Sequence, residues 1–120
     1  MKRFATTCQL KDEPGIIEKY EHYHANVWPE VVEGCLNCGI LRLFIYRIGH
    51  RLFMFTEAVD NFDMERDFPK YMKHPKAKEW DELMRTFQTN VPEAQEGTKW
   101  VEMKEVFALE KEAPTSRKRA

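Results

Sequence analysis

The sequence predicts an α+β domain of ferredoxin-like βαββαβ order. Three observations carry this: β-rich segments at both ends, two adjacent β-rich segments in the middle, and a stretch of helical periodicity in each interval. At 120 residues with 42% hydrophobic content, the chain is long enough for one ordinary core without disulfide or metal staples. The expected organisation is one domain over 1–110 followed by a charged, disordered tail at Lys111 to Ala120.

Lys2 to Leu10 reads as the first strand, rich in β-branched and aromatic residues and closed by the turn-forming Lys11-Asp12-Glu13-Pro14-Gly15. Ile16, Ile17, Tyr20, Val27, Trp28, Val31, Val32, Cys35 and Leu36 then recur at helical spacing, with a stop at Asn37-Cys38-Gly39. Pro29 cannot donate a backbone hydrogen bond, so a break is expected near Trp28, with Pro29 opening a second short helix. Tyr20, His24 and Trp28 are expected to line the segment before that break.

Ile40 to Arg47 and Arg51 to Val59 read as antiparallel strands joined by Ile48-Gly49-His50, a connection of hairpin length. Both alternating sets are largely apolar: Leu41, Leu43 and Ile45 against Phe44 and Tyr46, then Leu52 and Met54 against Phe53 and Phe55. Strands apolar on both sides are expected to be covered on both sides, and a second copy of the chain would close the face that the helices leave open.

Asn61 to Gln88 is helical in character, with interruptions expected at Pro69 and Pro75 and with Trp80, Leu83, Met84 and Phe87 at helical spacing. Asn90 to Thr98 reads as a loop, and Lys99 to Leu109 as the closing strand.

Nineteen Lys and Arg against twenty Asp and Glu leave a net charge of -1, which favours neither nucleic acid nor an anionic membrane as partner and suits a small neutral ligand. No run approaches the roughly twenty apolar residues that span a bilayer, and Met1-Lys2-Arg3-Phe4-Ala5-Thr6-Thr7 lacks the apolar core of a signal peptide. Three cysteines, an odd count, suit a reducing compartment better than a disulfide framework. A cytoplasmic location is expected.

Tyr20, His24 and Trp28 are spaced by four, which on a helix stacks their side chains within reach of one small ligand. The bland alternative is two core aromatics and a hydrogen-bonded core histidine, and spacing does not decide between them. His22 falls on the other side of such a helix, and His50 and His74 lie in turns where a surface histidine needs no function. Cys35-Leu36-Asn37-Cys38 has zinc or redox spacing, but no second pair supplies a tetrahedral site, and the motif ends a helix instead of opening one. No phosphate loop, nucleophile elbow or HExxH motif is present. Among the many carboxylates, each more readily a solvated ion-pair member than a catalyst, Glu57 and Glu79 are singled out for test.

Tyr20-x3-His24-x3-Trp28-Pro29-Glu30, followed by Gly39, Ile45-Tyr46, Leu52-Phe53, Glu57, Trp80-x2-Leu83-Met84 and Val106-Phe107-x-Leu109, resembles the L-rhamnose mutarotase family from about Lys2 to Leu109. The segment from His24 to Glu30 is the most specific part. The resemblance implies a dimeric α/β-barrel that interconverts the α and β anomers of a deoxyhexose without metal or cofactor. It assigns the family's proton-donor histidine to His24, a sugar-contacting tyrosine to Tyr20 and the second of two paired tryptophans to Trp80. Leu43 stands where the rhamnose enzymes carry a sugar-touching strand tyrosine, and Glu79 where they carry the first of those tryptophans. Ile45-Tyr46-Arg47, Asn61-Phe62, Glu65-Arg66 and Gly97-x-Lys99-Trp100-Val101 resemble the L-fucose mutarotase branch.

The resulting expectation is a homodimeric isomerase acting on L-fucose or L-rhamnose. His24 donates to the ring oxygen on opening and takes the proton back on closure, as a group of pKa near 6.5 can. Tyr20 orients the sugar or relays a proton, Trp28 and Trp80 offer apolar faces, and Glu79 or Glu57 binds hydroxyls. The rival readings are a cofactor-free monooxygenase or haem-handling enzyme on the same barrel, and a sugar-binding module without turnover.

Overall fold

The computed structural model describes residues 1–95 and 99–110, so the tail expected at 111–120 and the 96–98 part of the predicted loop lie outside the described residues. Along the chain run β1 (Lys2–Leu10), α1 (Ile16–Ala25), α2 (Pro29–Asn37), β2 (Ile40–Ile48), β3 (Arg51–Ala58), α3 (Met64–Tyr71), α4 (Pro75–Arg85), β4 (Gln88–Thr89) and β5 (Val101–Met103). The strands form one antiparallel sheet in the order β2-β3-β1-β4, with β5 pairing to β1 further along. This is the predicted βαββαβ arrangement, each helical stretch being divided in two and a short β4 added before the closing strand β5.

The breaks have local causes. Pro29 stands at the first turn of α2, where its missing N–H costs nothing, and Trp28 precedes it in extended conformation as the N-cap. Gly39 stops α2 with φ of 110°, and a Cβ there would come within 3.1 Å of Val59. Asp63 caps α3 by accepting from the Glu65 N–H, while Asp67, one turn on, accepts from the Asp63 N–H. His74, read from sequence as a plain surface histidine, caps α4 by accepting the Lys76 N–H at Nδ1, and Pro75 follows it.

Three expectations are corrected. Pro69 does not interrupt the helix: it lies inside α3, where the carbonyl it leaves without a donor belongs to exposed Glu65, within reach of water. Gln88, read as the end of a helix, pairs instead with Leu10 of β1, and Thr89 beside it pairs with Gln9. The closing strand Lys99 to Leu109 shrinks to Val101–Met103. Alternation predicts which side chains share a face, not whether a backbone neighbour exists, and β1 pairs only as far as Met103. Beyond it, Arg3 holds the chain by ion pairs to Glu105 and Glu110, leaving Val106, Phe107 and Leu109 exposed.

The helices cover one face of the sheet. Cys8, Leu10 and Leu52 from the strands, Ile16, Tyr20 and Val31 from α1 and α2, and Trp80, Met84 and Phe87 near the C-terminal end form the core. Leu10 and Leu52 are fully buried, each such side chain contributing about 1.5–3 kcal/mol. The opposite face carries Phe44, Tyr46 and Ile48 of β2 beside Phe53 and Phe55 of β3, and Phe44, Tyr46 and Ile48 are exposed there. Among the described residues no helix is long and apolar enough to cross a membrane.

Candidate active site

A register shift in β2 decides which side chains reach the helical face. Leu41 is the extra residue between Ile40, opposite Ala58, and Arg42, opposite Glu57. Past it, Leu43, Ile45 and Arg47 stand opposite Thr56, Met54 and Leu52 on the helix-covered side, while Arg42, Phe44 and Tyr46 take the open side. Ile45, Arg47 and Leu52 thereby meet Tyr20, Glu21 and His24 of α1 around a cavity of about 330 Å³ that Tyr46 also lines. That volume is at the small end of the roughly 300–1,000 Å³ of ligand clefts.

The i, i+4 spacing of Tyr20 and His24 stacks their rings, with centroids 4.2 Å apart. His24 Nδ1 lies 2.9 Å from the Tyr20 carbonyl. A carbonyl only accepts, so Nδ1 carries the hydrogen, and in the neutral ring Nε2 is an acceptor. Burial lowers the His24 pKa from its ordinary 6.5, and the bond to the Tyr20 carbonyl offsets this only in part. At neutral pH the imidazole is therefore predominantly uncharged, with a lone pair at Nε2. Burial pushes the Tyr20 phenol well above its ordinary range, offset in part by a hydrogen bond with buried Gln88. The phenol keeps its proton at neutral pH.

Trp80, from α4, meets His24 edge-on at 5.4 Å and Trp28 at 5.1 Å between centroids. Trp28 is thus not on the face of α1, which ends at Ala25. Its N-capping position turns it away from that helix, and it rejoins the cluster through Trp80. The structure brings Tyr20, His24, Trp80 and Trp28 into one aromatic run, of which Tyr20 and His24 line the cavity.

The remaining candidates are not brought there. Glu79 is exposed on α4 and pairs with Lys76 at 3.3 Å. Leu43 shares a face with Ile45 but lies outside the cavity lining. Glu57 projects from the opposite side of the sheet, its Oε1 3.5 Å from Arg42 Nη1, an ion-pair distance without hydrogen-bond alignment. Glu21 and Arg47, which do line the cavity, are not among the sequence-derived site residues because they look like any solvated pair, Arg47 figuring only in the Ile45-Tyr46-Arg47 resemblance. Their signal is the three-residue step from Glu21 to His24 on α1.

A second depression of about 450 Å³, on the other side of α1, holds His22 with Tyr23, Leu83 and Phe87. Among the described residues no group of three His, Cys, Asp or Glu side chains is arranged to hold a metal. Cys35 and Cys38 have thiol pKa values raised chiefly by burial, which disfavours the reactive thiolate.

A family model described as L-rhamnose mutarotase matches residues 3–109. A UPF0734 protein of Dictyostelium discoideum is 42% identical over 113 residues, covering 91% of this chain and 90% of its own. An L-fucose mutarotase of Xanthomonas campestris is 34% identical over 111 residues, covering 91% and 89%. Among solved structures, the L-rhamnose mutarotase of Formosa agariphila superposes with a TM-score of 0.67 at 20% identity, covering 92% of this chain and all of that one, a likeness of fold.

Proposed function

Since this chain belongs to the L-rhamnose mutarotase family, we propose that it interconverts the α and β anomers of a 6-deoxyhexose, L-fucose before L-rhamnose, with His24 as the proton-transfer group. The observation that carries the reading is the bond from His24 Nδ1–H to the Tyr20 carbonyl at the wall of the cavity, which leaves Nε2 as an acceptor. The preference for L-fucose rests on the 34% identity to an L-fucose mutarotase over most of both chains.

Anomer exchange requires the hemiacetal to open, C1 to rotate and the ring to close on the other face. His24 Nε2 takes the proton of the anomeric hydroxyl as the bond from C1 to the ring oxygen breaks. The imidazolium so formed hands that proton to the ring oxygen, giving the open hydroxyaldehyde. Half a turn about C1–C2 and the same steps reversed return the other anomer, with no net change in protons. His24 thus begins as a base and becomes the acid, a refinement of the donor role the resemblance implies. Tyr20 orients the sugar through its hydroxyl, and Trp80 and Trp28 back the imidazole.

The open sheet face, with Ile48 80% and Tyr46 60% exposed, supports a homodimer in which a second copy covers it. The three cysteines are free, which fits a cytoplasmic setting. Polarimetry of freshly dissolved α-L-fucose tests the activity: added protein should speed the approach to the equilibrium rotation, and an unchanged rate would refute the reading.

A further inference from the structure

The geometry points to the Glu21–Arg47 ion pair as the element that recognises a vicinal diol of the sugar and so sets which 6-deoxyhexose is preferred, an inference resting on the reading of the cavity as a sugar site. Apart from His24, these two are the charged or ionisable groups of the lining that are joined to each other across it, one from α1 and one from β2. Arg47 Nε donates to Glu21 Oε2 at 2.7 Å and Arg47 Nη1 to the Gly49 carbonyl at 2.8 Å, so the guanidinium plane is fixed from two sides. Among the described residues, Glu21 Oε1 and Arg47 Nη2 make no hydrogen bond.

One unengaged acceptor beside one unengaged donor, both charged, matches two neighbouring hydroxyls: one donates to Glu21 Oε1, and the next accepts from Arg47 Nη2. Stability alone does not account for the pair. Glu21 is 55% exposed and Arg47 31%, and ion pairs of that exposure add little to stability. Nor does sheet periodicity, because Arg47 occupies the helix-facing register of β2 next to apolar Ile45 and opposite buried Leu52.

The placement also fixes which hydroxyls are read. Glu21 and His24 are three residues apart on α1 and share its cavity side. With C1 and the ring oxygen at His24, the far end of a pyranose presents its C3 and C4 hydroxyls. These are cis in L-fucose and trans in L-rhamnose, so a rigid acceptor–donor pair distinguishes the two sugars at this point.

The test is a titration followed by ligand-observed NMR, using L-fucose, 3-deoxy-L-fucose and 4-deoxy-L-fucose against wild type, Glu21→Gln and Arg47→Met. Wild type should bind each deoxy sugar about tenfold to a hundredfold more weakly than L-fucose, and each variant should lose affinity for L-fucose by a similar factor. In each variant, the ratio between L-fucose and the deoxy sugar that lacks the hydroxyl read by the replaced side chain should collapse towards one. A merely structural role would weaken all three sugars together and preserve the ratio, which would overturn the inference, as would variants that bind L-fucose like wild type. Polarimetry on the same samples separates the two readings. Wild type that binds L-fucose through the pair without speeding anomer exchange leaves the diol assignment standing and refutes the mutarotase reading. Wild type that speeds exchange while the variants keep its ratio does the reverse.

Discussion

The imidazole of His24 and the ring of Tyr20 stack at 4.2 Å, and the same histidine bonds through Nδ1 to the backbone carbonyl of that tyrosine at 2.9 Å. One helical turn therefore fixes the ring, its tautomer and its neighbour together.

The first prediction concerns pH. Because burial lowers the His24 pKa, the active neutral form persists below 6.5, and kcat/KM should be flat through neutrality and fall only on a more acidic limb. Stability has the same sign. Between the lowered folded pKa and the unfolded value near 6.5, the unfolded chain holds the extra proton, so acidification through that window costs stability and raising the pH restores it. A pH–rate profile and thermal midpoints of wild type and His24→Ala measure both. A limb centred above 6.5, or one retained in the variant, would contradict this.

Tyr20→Phe keeps the ring over His24 and removes the hydroxyl that bonds with Gln88. Loss of that bond should lower stability by about 0.5–1.5 kcal/mol. The kcat/KM for L-fucose should fall roughly tenfold, by about one hydrogen bond to substrate, while the acid limb stays in place. An unchanged rate would remove the hydroxyl from the reaction.

Trp80 is 8% exposed and touches the rings of Tyr23, His24 and Trp28. Trp80→Ala should cost about 3–5 kcal/mol in urea denaturation, the usual range for a core tryptophan, and activity should be lost with the support of His24. Trp80→Phe should cost less and retain part of the activity. A cost under about 1 kcal/mol would show that the run of aromatic rings is not a unit.

The open sheet face predicts a particle of twice the chain mass in analytical ultracentrifugation. Ile48→Glu with Phe44→Glu, at 80% and 39% exposure in the single chain, should leave the fold intact and shift the particle to one chain, by burying charge in the interface. A wild-type monomer at micromolar concentration would contradict it.

How much of this was legible in sequence depended on the range of the interaction involved. Pro29, Gly39 and the hairpin at Ile48-Gly49-His50 act within a few residues and were readable, as was the four-residue step from Tyr20 to His24. Pro69 misled, because a proline in an exposed helix leaves a carbonyl that water can reach. Trp28 kept its neighbours but not its helix, since contact with Trp80 is made through space after the chain has turned. Glu21 and Arg47 were hidden because each looks in sequence like a solvated charge, and they meet only when α1 packs against β2. The added β4 and the shortened β5 depend on how far β1 offers a free edge, a property of the assembled sheet.

The central claim is that His24 moves the proton between the anomeric hydroxyl and the ring oxygen, and saturation-transfer NMR between the two anomeric protons of L-fucose at equilibrium tests it most directly. Wild type should raise the exchange rate well above the spontaneous one, and His24→Ala should lose about a hundredfold to ten-thousandfold of that enhancement while remaining folded. Exchange at the spontaneous rate with wild type, or a folded His24→Ala as fast as wild type, would contradict the account.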